Sequence, residues 1–275
     1  MPSSHYAFVN GRFLPEDRAG VSIFDRGFLY GDGCFETMRV YEGCVFRASE
    51  HLERLALGLR ALGIEPVFSP AEIQAICRVL IQRNTVRDGV ARVYATRDSI
   101  VATAQSREFR PRDIRAIVST VRVDSQLSRL KTANRLPYIL AQREAQLAGS
   151  DDAVLLNTDG HVVELTTSNL FVVKDPALVT PPLSDAPLPG VTRRIVLALA
   201  SELGLMACER SFPPEFLETA DEVFATNSLI EIAPVTNWSR CRTVTARLQQ
   251  AYRQLVARET AASRGQTASP KTPSR

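Results

Sequence analysis

Cysteine is scarce and unpatterned in this chain of 275 residues: Cys34, Cys44, Cys77, Cys208 and Cys241 stand far apart, odd in number and without a CxxC pair. That spacing offers neither a zinc cluster nor a disulfide framework, and buried free thiols are expected. No stretch approaches the roughly 18 uninterrupted apolar residues that span a bilayer. The start, Met1-Pro2-Ser3-Ser4-His5, lacks the apolar core of a secretion signal, so a soluble, cytoplasmic protein with no membrane partner is expected. An excess of one charge is also missing. Against 30 acidic residues stand 33 basic ones, a net +3, and no aromatic residues interleave a basic stripe, so nucleic acid is not an expected partner. The mild excess suits a small anionic ligand. Repeats and heptads are absent, and residues 263–275, rich in Ser, Thr, Pro, Gly, Lys and Arg, read as a disordered tail.

What remains is a globular chain, 45% hydrophobic, long enough for one large or two medium cores. Strand signals at Tyr6 to Val9, Arg12 to Leu14, Cys34 to Tyr41 and Cys44 to Phe46 precede two helices. Leu52, Leu55, Leu59 and Leu62 form one helical stripe stopped by Gly63, and a second helix follows Pro70 with Ile73, Ile76, Leu80 and Ile81 inward. A strand over Val90 to Thr96 completes a small α+β unit, residues 1–120. Residues 110 to 130 turn extended and polar and read as the domain connection. The larger unit, residues 121–262, holds a helix from Pro137 to Ala148 with Leu136, Leu140 and Leu147 on a shared face, closed by Gly149. Ala153 to Asn157 and His161 to Leu165 flank Thr158-Asp159-Gly160, a strong hairpin signal. A helix with Ile195, Val196, Leu199 and Leu203 inward and a last strand, Glu222 to Thr226, follow.

Three features carry chemistry. Lys131 ends an extended stretch, and an amine withdrawn from water loses its proton near neutrality and attacks an aldehyde. Glu164 lies in a strand of Val, Leu and Thr, where a carboxylate faces solvent or meets a specific partner inside. Pro189-Gly190-Val191-Thr192 opens a helix whose unpaired N–H groups and dipole suit an anion, and Thr226-Asn227-Ser228 ends an apolar strand.

In order along the chain these elements resemble the fold-type IV pyridoxal-phosphate enzymes: branched-chain aminotransferases, D-amino-acid aminotransferases and 4-amino-4-deoxychorismate lyases. The resemblance runs from about Val9 to Val256. It rests on Asp25-Arg26-Gly27 with Tyr30-Gly31-Asp32-Gly33-Cys34-Phe35-Glu36-Thr37, on His51-Leu52-Glu53-Arg54-Leu55, and on Lys131. It continues through Gly160 to Glu164 and Ser168 to Phe171, Leu188 to Arg193, and Asn227-Ser228-Leu229 with Pro234-Val235. It implies an α/β (α+β) two-domain fold, with pyridoxal 5'-phosphate held between the domains near the interface of a homodimer. Lys131 would bond the cofactor and shuttle the substrate proton, and Glu164 would keep the pyridine nitrogen protonated. Arg54, Val191, Thr192 and Ser228 would hold the phosphate.

Within that group the resemblance leans to the lyase. Thr37 stands where branched-chain enzymes have glycine and D-amino-acid enzymes valine, and is linked in the lyases to substrate handling. Asn134-Arg135-Leu136 looks like the lyases' Asn-Arg-Leu, and Asn227-Ser228-Leu229 like a lyase ending. Thr132-Ala133 and Pro137 depart from the lyase pattern, and Glu36 is shared with the aminotransferases, so amine transfer stays open as the alternative. Tyr30 and Arg97 are the candidates for binding a small, anionic, amino-acid-like substrate.

Overall fold

In the computed structural model, which describes residues 5–123 and 125–267, the first half wraps two helices over one antiparallel sheet. Its strands are β1 (Tyr6–Val9), β2 (Arg12–Pro15), β3 (Gly33–Tyr41), β4 (Cys44–Val45), β5 (Gly89–Thr96) and β6 (Ile100–Ser106), in the order β2-β1-β6-β5-β3-β4. A short α1 (Arg26–Tyr30) precedes β3, while α2 (Ala48–Ala61) and α3 (Pro70–Arg83) cover the sheet. The leucine stripe behaves as its spacing demands: Leu52, Leu55 and Leu59 are buried with Met38, Val93 and Leu80, each worth roughly 1.5–3 kcal/mol against exposure. Gly63 ends the turn at φ +67°. The start of α3 is fixed by Ser69 and Glu72, each accepting the other's backbone N–H, with Pro70 in the first turn. Cys34 and Cys77 are buried free thiols, Cys44 and Cys208 half-buried ones, and Cys241 is exposed.

The second half stacks two sheets. One is β7 (Ala116–Arg122), β8 (Asp152–Leu156) and β9 (Val162–Leu165), with β7 parallel to β8 and β8 antiparallel to β9. The other comprises β10 (Asn169–Lys174), β11 (Ala177–Thr180), β12 (Met206–Glu209), β13 (Glu222–Asn227) and β14 (Glu231–Pro234), ordered β12-β11-β10-β13-β14. Helices are α4 (Ser125–Ser128), α5 (Leu136–Leu147), α6 (Val191–Glu202), α7 (Glu215–Glu218) and α8 (Thr243–Thr267). Both faces of the second sheet are covered, which is why β10 reads as an unbroken apolar run. Leu170 and Val172 face the first sheet's Val154 and Leu165, while Phe171 and Val173 face α6 and α8.

Several expectations shift. Residues 110–130 are not a plain connection: β7 lies inside them and pairs with β8, so the sheets divide between Ser106 and Ala116, earlier than the 120/121 boundary. The leucines of α5 face outward, Leu136 at 60% and Leu147 at 82% exposure, and Tyr138, Ala141 and Ala145 are buried instead. Alanine lets that helix approach β7 and β8 closely, which leucine would prevent. The strand Glu222 to Thr226 is not the last element, since β14 and α8 follow. Leu248, Tyr252, Leu255 and Val256 supply the buried face of α8, and the helix runs through residues 263–267 of the expected tail; 268–275 lie outside the described residues.

Candidate active site

A pocket of ≈480 Å³ opens between the two halves, with Lys131 and Glu164 in its wall. The backbone around Lys131 is stitched to the first sheet. Phe35 N–H donates to Lys131 O at 2.9 Å and Ala133 N–H to Gly33 O at 2.8 Å, which makes Cys34 and Thr132 bridge partners. Lys131 Nζ stands 4.7 Å from the centre of the Phe35 ring, itself stacked on Tyr94 at 5.3 Å. Withdrawal from water lowers the ammonium to about 8, against the pull of Glu36 and Glu164 toward the charged form. A lysine so placed has an appreciable neutral fraction near physiological pH.

Glu164 reaches the pocket from β9. Its Oε2 accepts Leu188 N–H at 3.1 Å and Asn169 Nδ2–H at 3.3 Å, and its Oε1 accepts the Tyr138 hydroxyl at 3.4 Å. Burial nevertheless raises its carboxyl to about 7. Neutral donors do not replace hydration, so this group asks for a cation, and a protonated pyridine nitrogen is a fitting one. Asn169 also donates to Leu188 O at 2.8 Å. A Cβ on Gly190 would lie 2.0 Å from Asn169 Oδ1, so the residue opening α6 must be glycine for that asparagine to sit where it does.

The other end of the pocket is built for an anion. Gly190 caps α6 without a side chain, leaving Val191 and Thr192 at the helix start in the pocket wall. Arg54 donates through Nε and Nη2 to Glu36 at 2.7 and 2.8 Å and through Nη1 to Pro189 O at 2.9 Å. Of its five N–H groups, two remain for a ligand. Thr226 Oγ1, buried in the same wall, has no partner among the described residues. Ser228 Oγ lies 3.2 Å from His51 Nε2, and His51 Nδ1 lies 2.8 Å from Glu36 Oε2. Burial pushes the Glu36 carboxyl up, but Arg54 and His51 more than reverse this and hold it at about 2. A cation-requiring carboxylate, an attacking amine and an anion seat with an orphaned hydroxyl fit pyridoxal 5'-phosphate.

Thr37 also lines the pocket. In the β3–β5 register it pairs with Arg92, as Phe35 pairs with Tyr94, and all four face the cavity. Arg107, Arg110 and Arg112, from the link between β6 and β7, also line it, with Arg110 donating to Glu108 at 3.1 Å. Two sequence candidates lie elsewhere in the chain. Tyr30 is 66% exposed, its ring beneath Arg26 at 5.2 Å. Arg97 falls in the turn after β5, donates to Gly63 O at 3.4 Å, and lines a separate cavity with Ile64 and Phe68. Arg92, five residues earlier in the chain, lies on the pocket-facing side of β5. Glu36, His51 and Asn169 stood in the quoted motifs without a role of their own, and Tyr138 and Arg92 were not singled out at all. The signals were present: Glu36 is a charge inside an apolar strand, and His51 and Arg54 are three apart on one helix face.

The family model for amino-transferase class IV matches residues 33–238, and the chain belongs to that family. It is similar to the aminodeoxychorismate lyase of Bacillus subtilis, 36% identical over 83% of this chain and 85% of that one. It is likewise similar to the D-alanine aminotransferase of Bacillus licheniformis, 32% identical over 83% and 86%. Among solved structures, a branched-chain amino acid aminotransferase of T.th. with pyridoxamine 5'-phosphate superposes with a TM-score of 0.84 at 26% identity, covering 92% of this chain and 94% of the other. The protein is therefore a pyridoxal 5'-phosphate enzyme of the class that holds these aminotransferases and lyases.

Proposed function

We propose that the protein is a 4-amino-4-deoxychorismate lyase, which releases pyruvate and leaves 4-aminobenzoate for folate synthesis. The observation that carries this reading is the pocket wall, where Thr37 faces Arg92 and where Arg107 and Arg112 add charge beside an Arg110 already bonded to Glu108. Such a surface suits a ring bearing two carboxylates better than an aliphatic side chain. Glu36, shared with aminotransferases, is bonded to Arg54 and His51 below the anion seat, so it bears on cofactor binding and not on the choice of reaction.

Val191, Thr192, Ser228 and the two free N–H groups of Arg54 would hold the phosphate, and Glu164 would pair with the ring nitrogen. When bound, pyridoxal 5'-phosphate supplies a protonated ring that withdraws electrons from the substrate carbon. Lys131 takes the proton from that carbon onto Nζ, its lowered basicity leaving the amine free to accept it. Thr37 offers a hydroxyl to the ether oxygen as the carbon–oxygen bond breaks. The enol of pyruvate leaves with the bonding pair and takes up a proton, while the ring becomes aromatic. Arg92, Arg107 and Arg112 orient the carboxylates throughout.

The second reading, amine transfer, is favoured by the likeness to the D-alanine enzyme and uses the same Lys131 and Glu164. The two separate in one experiment: pyruvate is followed with aminodeoxychorismate, and conversion to the pyridoxamine form with glutamate, branched-chain and D-amino acids. Pyruvate release is expected; rapid conversion without pyruvate overturns the lyase. We also propose a homodimer. Ile23, Phe24 and Phe28 are exposed, as are Leu136, Ile139 and Leu140 of α5, and Gly31 lies against Asn134, which brings the two segments near each other. An apolar surface of this kind marks an interface.

A further inference from the structure

The chain Glu36–His51–Ser228 runs from the floor of the first sheet to the anion seat of the second half, and its hydrogen-bond polarity is fixed from one end. Glu36 is wholly buried and kept ionised, so both its oxygens only accept. His51 must then carry a hydrogen on Nδ1, 2.8 Å from Glu36 Oε2. In the neutral ring this leaves Nε2 with a lone pair, which accepts the one hydrogen of the Ser228 hydroxyl at 3.2 Å. Ser228 then offers the pocket only lone pairs, the wrong polarity for an anion. Protonating Nε2 reverses the bond: His51 donates, and the serine hydrogen is released toward the pocket.

We propose that His51 is a positioning residue that sets the direction of the Ser228 hydroxyl, and that seating a phosphate dianion there draws a proton from solvent onto His51 Nε2. The charges facing the ring agree. Glu36 on β3 favours the imidazolium, while Arg54 on the same helix and Lys131 across the pocket oppose it, and burial opposes it most. Without a ligand the ring is therefore held neutral. A dianion adds the negative charge that tips the balance. The inference rests on Ser228 belonging to the phosphate seat, and it is independent of whether the enzyme is a lyase or an aminotransferase.

The histidines are His5, His51 and His161, few enough for nitrogen-15 NMR of the full-length protein to follow each ring. The probe is pyridoxamine 5'-phosphate, which has no aldehyde and leaves Lys131 unbonded. At pH 8 its phosphate, with a second pKa of about 6, is a dianion. His51 is expected neutral with hydrogen on Nδ1 before binding, and an imidazolium after. Calorimetry in buffers of different ionisation enthalpy should record uptake of about one proton more by wild type than by His51→Gln or Ser228→Ala. Ser228→Ala, at a half-buried rim position, keeps the comparison available if the buried histidine variant does not fold. A ring that stays neutral in both states, or equal proton uptake in wild type and variants, overturns the relay. Unchanged affinity in Ser228→Ala removes the serine from the phosphate seat, and the relay with it.

Discussion

Lys131 has few rivals, since Lys174 and Lys271 are the only other lysines among 33 basic residues, and Lys174 is an exposed group bonded to Thr219 O. Borohydride reduction of the cofactor-loaded protein should therefore fix the label on the Lys131 peptide alone, and Lys131→Ala should yield a colourless protein; label on Lys174 would refute the assignment. Glu164 titrates against its surroundings. Its folded pKa of about 7 lies above the ordinary 4.5, so between these values the cofactor-free native state binds more protons than the unfolded chain and loses stability as pH rises. Urea melts of the cofactor-free protein should show that decline from pH 4.5 to 7, absent in Glu164→Gln. At this scale the sequence was legible where a residue type is rare or chemically out of place, as with Lys131 and Glu164. Arg92 was not, because nothing separates one arginine from another until the β3–β5 register sets it opposite Thr37.

The helix α2 does two jobs, burying its leucines on one side and presenting His51 and Arg54 to Glu36 on another. Glu36 contributes stability that is fully present above pH 4.5 and lost as pH falls toward its folded value of about 2. A shift of that size is worth about 3 kcal/mol. Glu36→Gln should cost about that much at pH 7 in denaturant titrations, by taking the carboxylate away from the part-buried Arg54 guanidinium, and the gap to wild type should close in acid. Arg54→Lys should restore the charge but not the paired bonds to Glu36, so cofactor affinity should fall at least tenfold by fluorescence titration. Elements with a single clean period, α2, α3 and the 153–165 hairpin, could be read from the chain. The orientation of α5 could not: its leucines outweigh its alanines in any hydrophobicity count, while close packing on β7 and β8 selects the small side.

Across the whole molecule, the exposed apolar patch of residues 21–30 and α5 should hold two copies together. Phe24→Asp with Phe28→Asp should move the protein from dimer to monomer in sedimentation velocity, and an unchanged dimer would place the interface elsewhere. The two halves of one chain meet along a seam that is apolar where Phe46 packs on Tyr252 and polar beside it. Arg47 joins Glu259 of α8, Arg194 joins Glu50, and the Tyr41 hydroxyl donates to Glu231 at 2.7 Å. These pairs escaped sequence reading because their partners lie up to 212 positions apart. Lys131 hangs from β3 by its own backbone, whereas Glu164 and the start of α6 belong to the other side of that seam. The groups proposed to act on the cofactor are thus mounted on both sides of the seam, Lys131 and Arg54 with the first sheet and its helix, Glu164 and the start of α6 opposite. A slip of about 1 Å between reacting groups can cost 10²-fold in rate. Loosening the seam by Arg47→Ala should therefore lower turnover in stopped-flow, and because Arg54 stands on the helix that Arg47 caps, cofactor affinity should weaken with it.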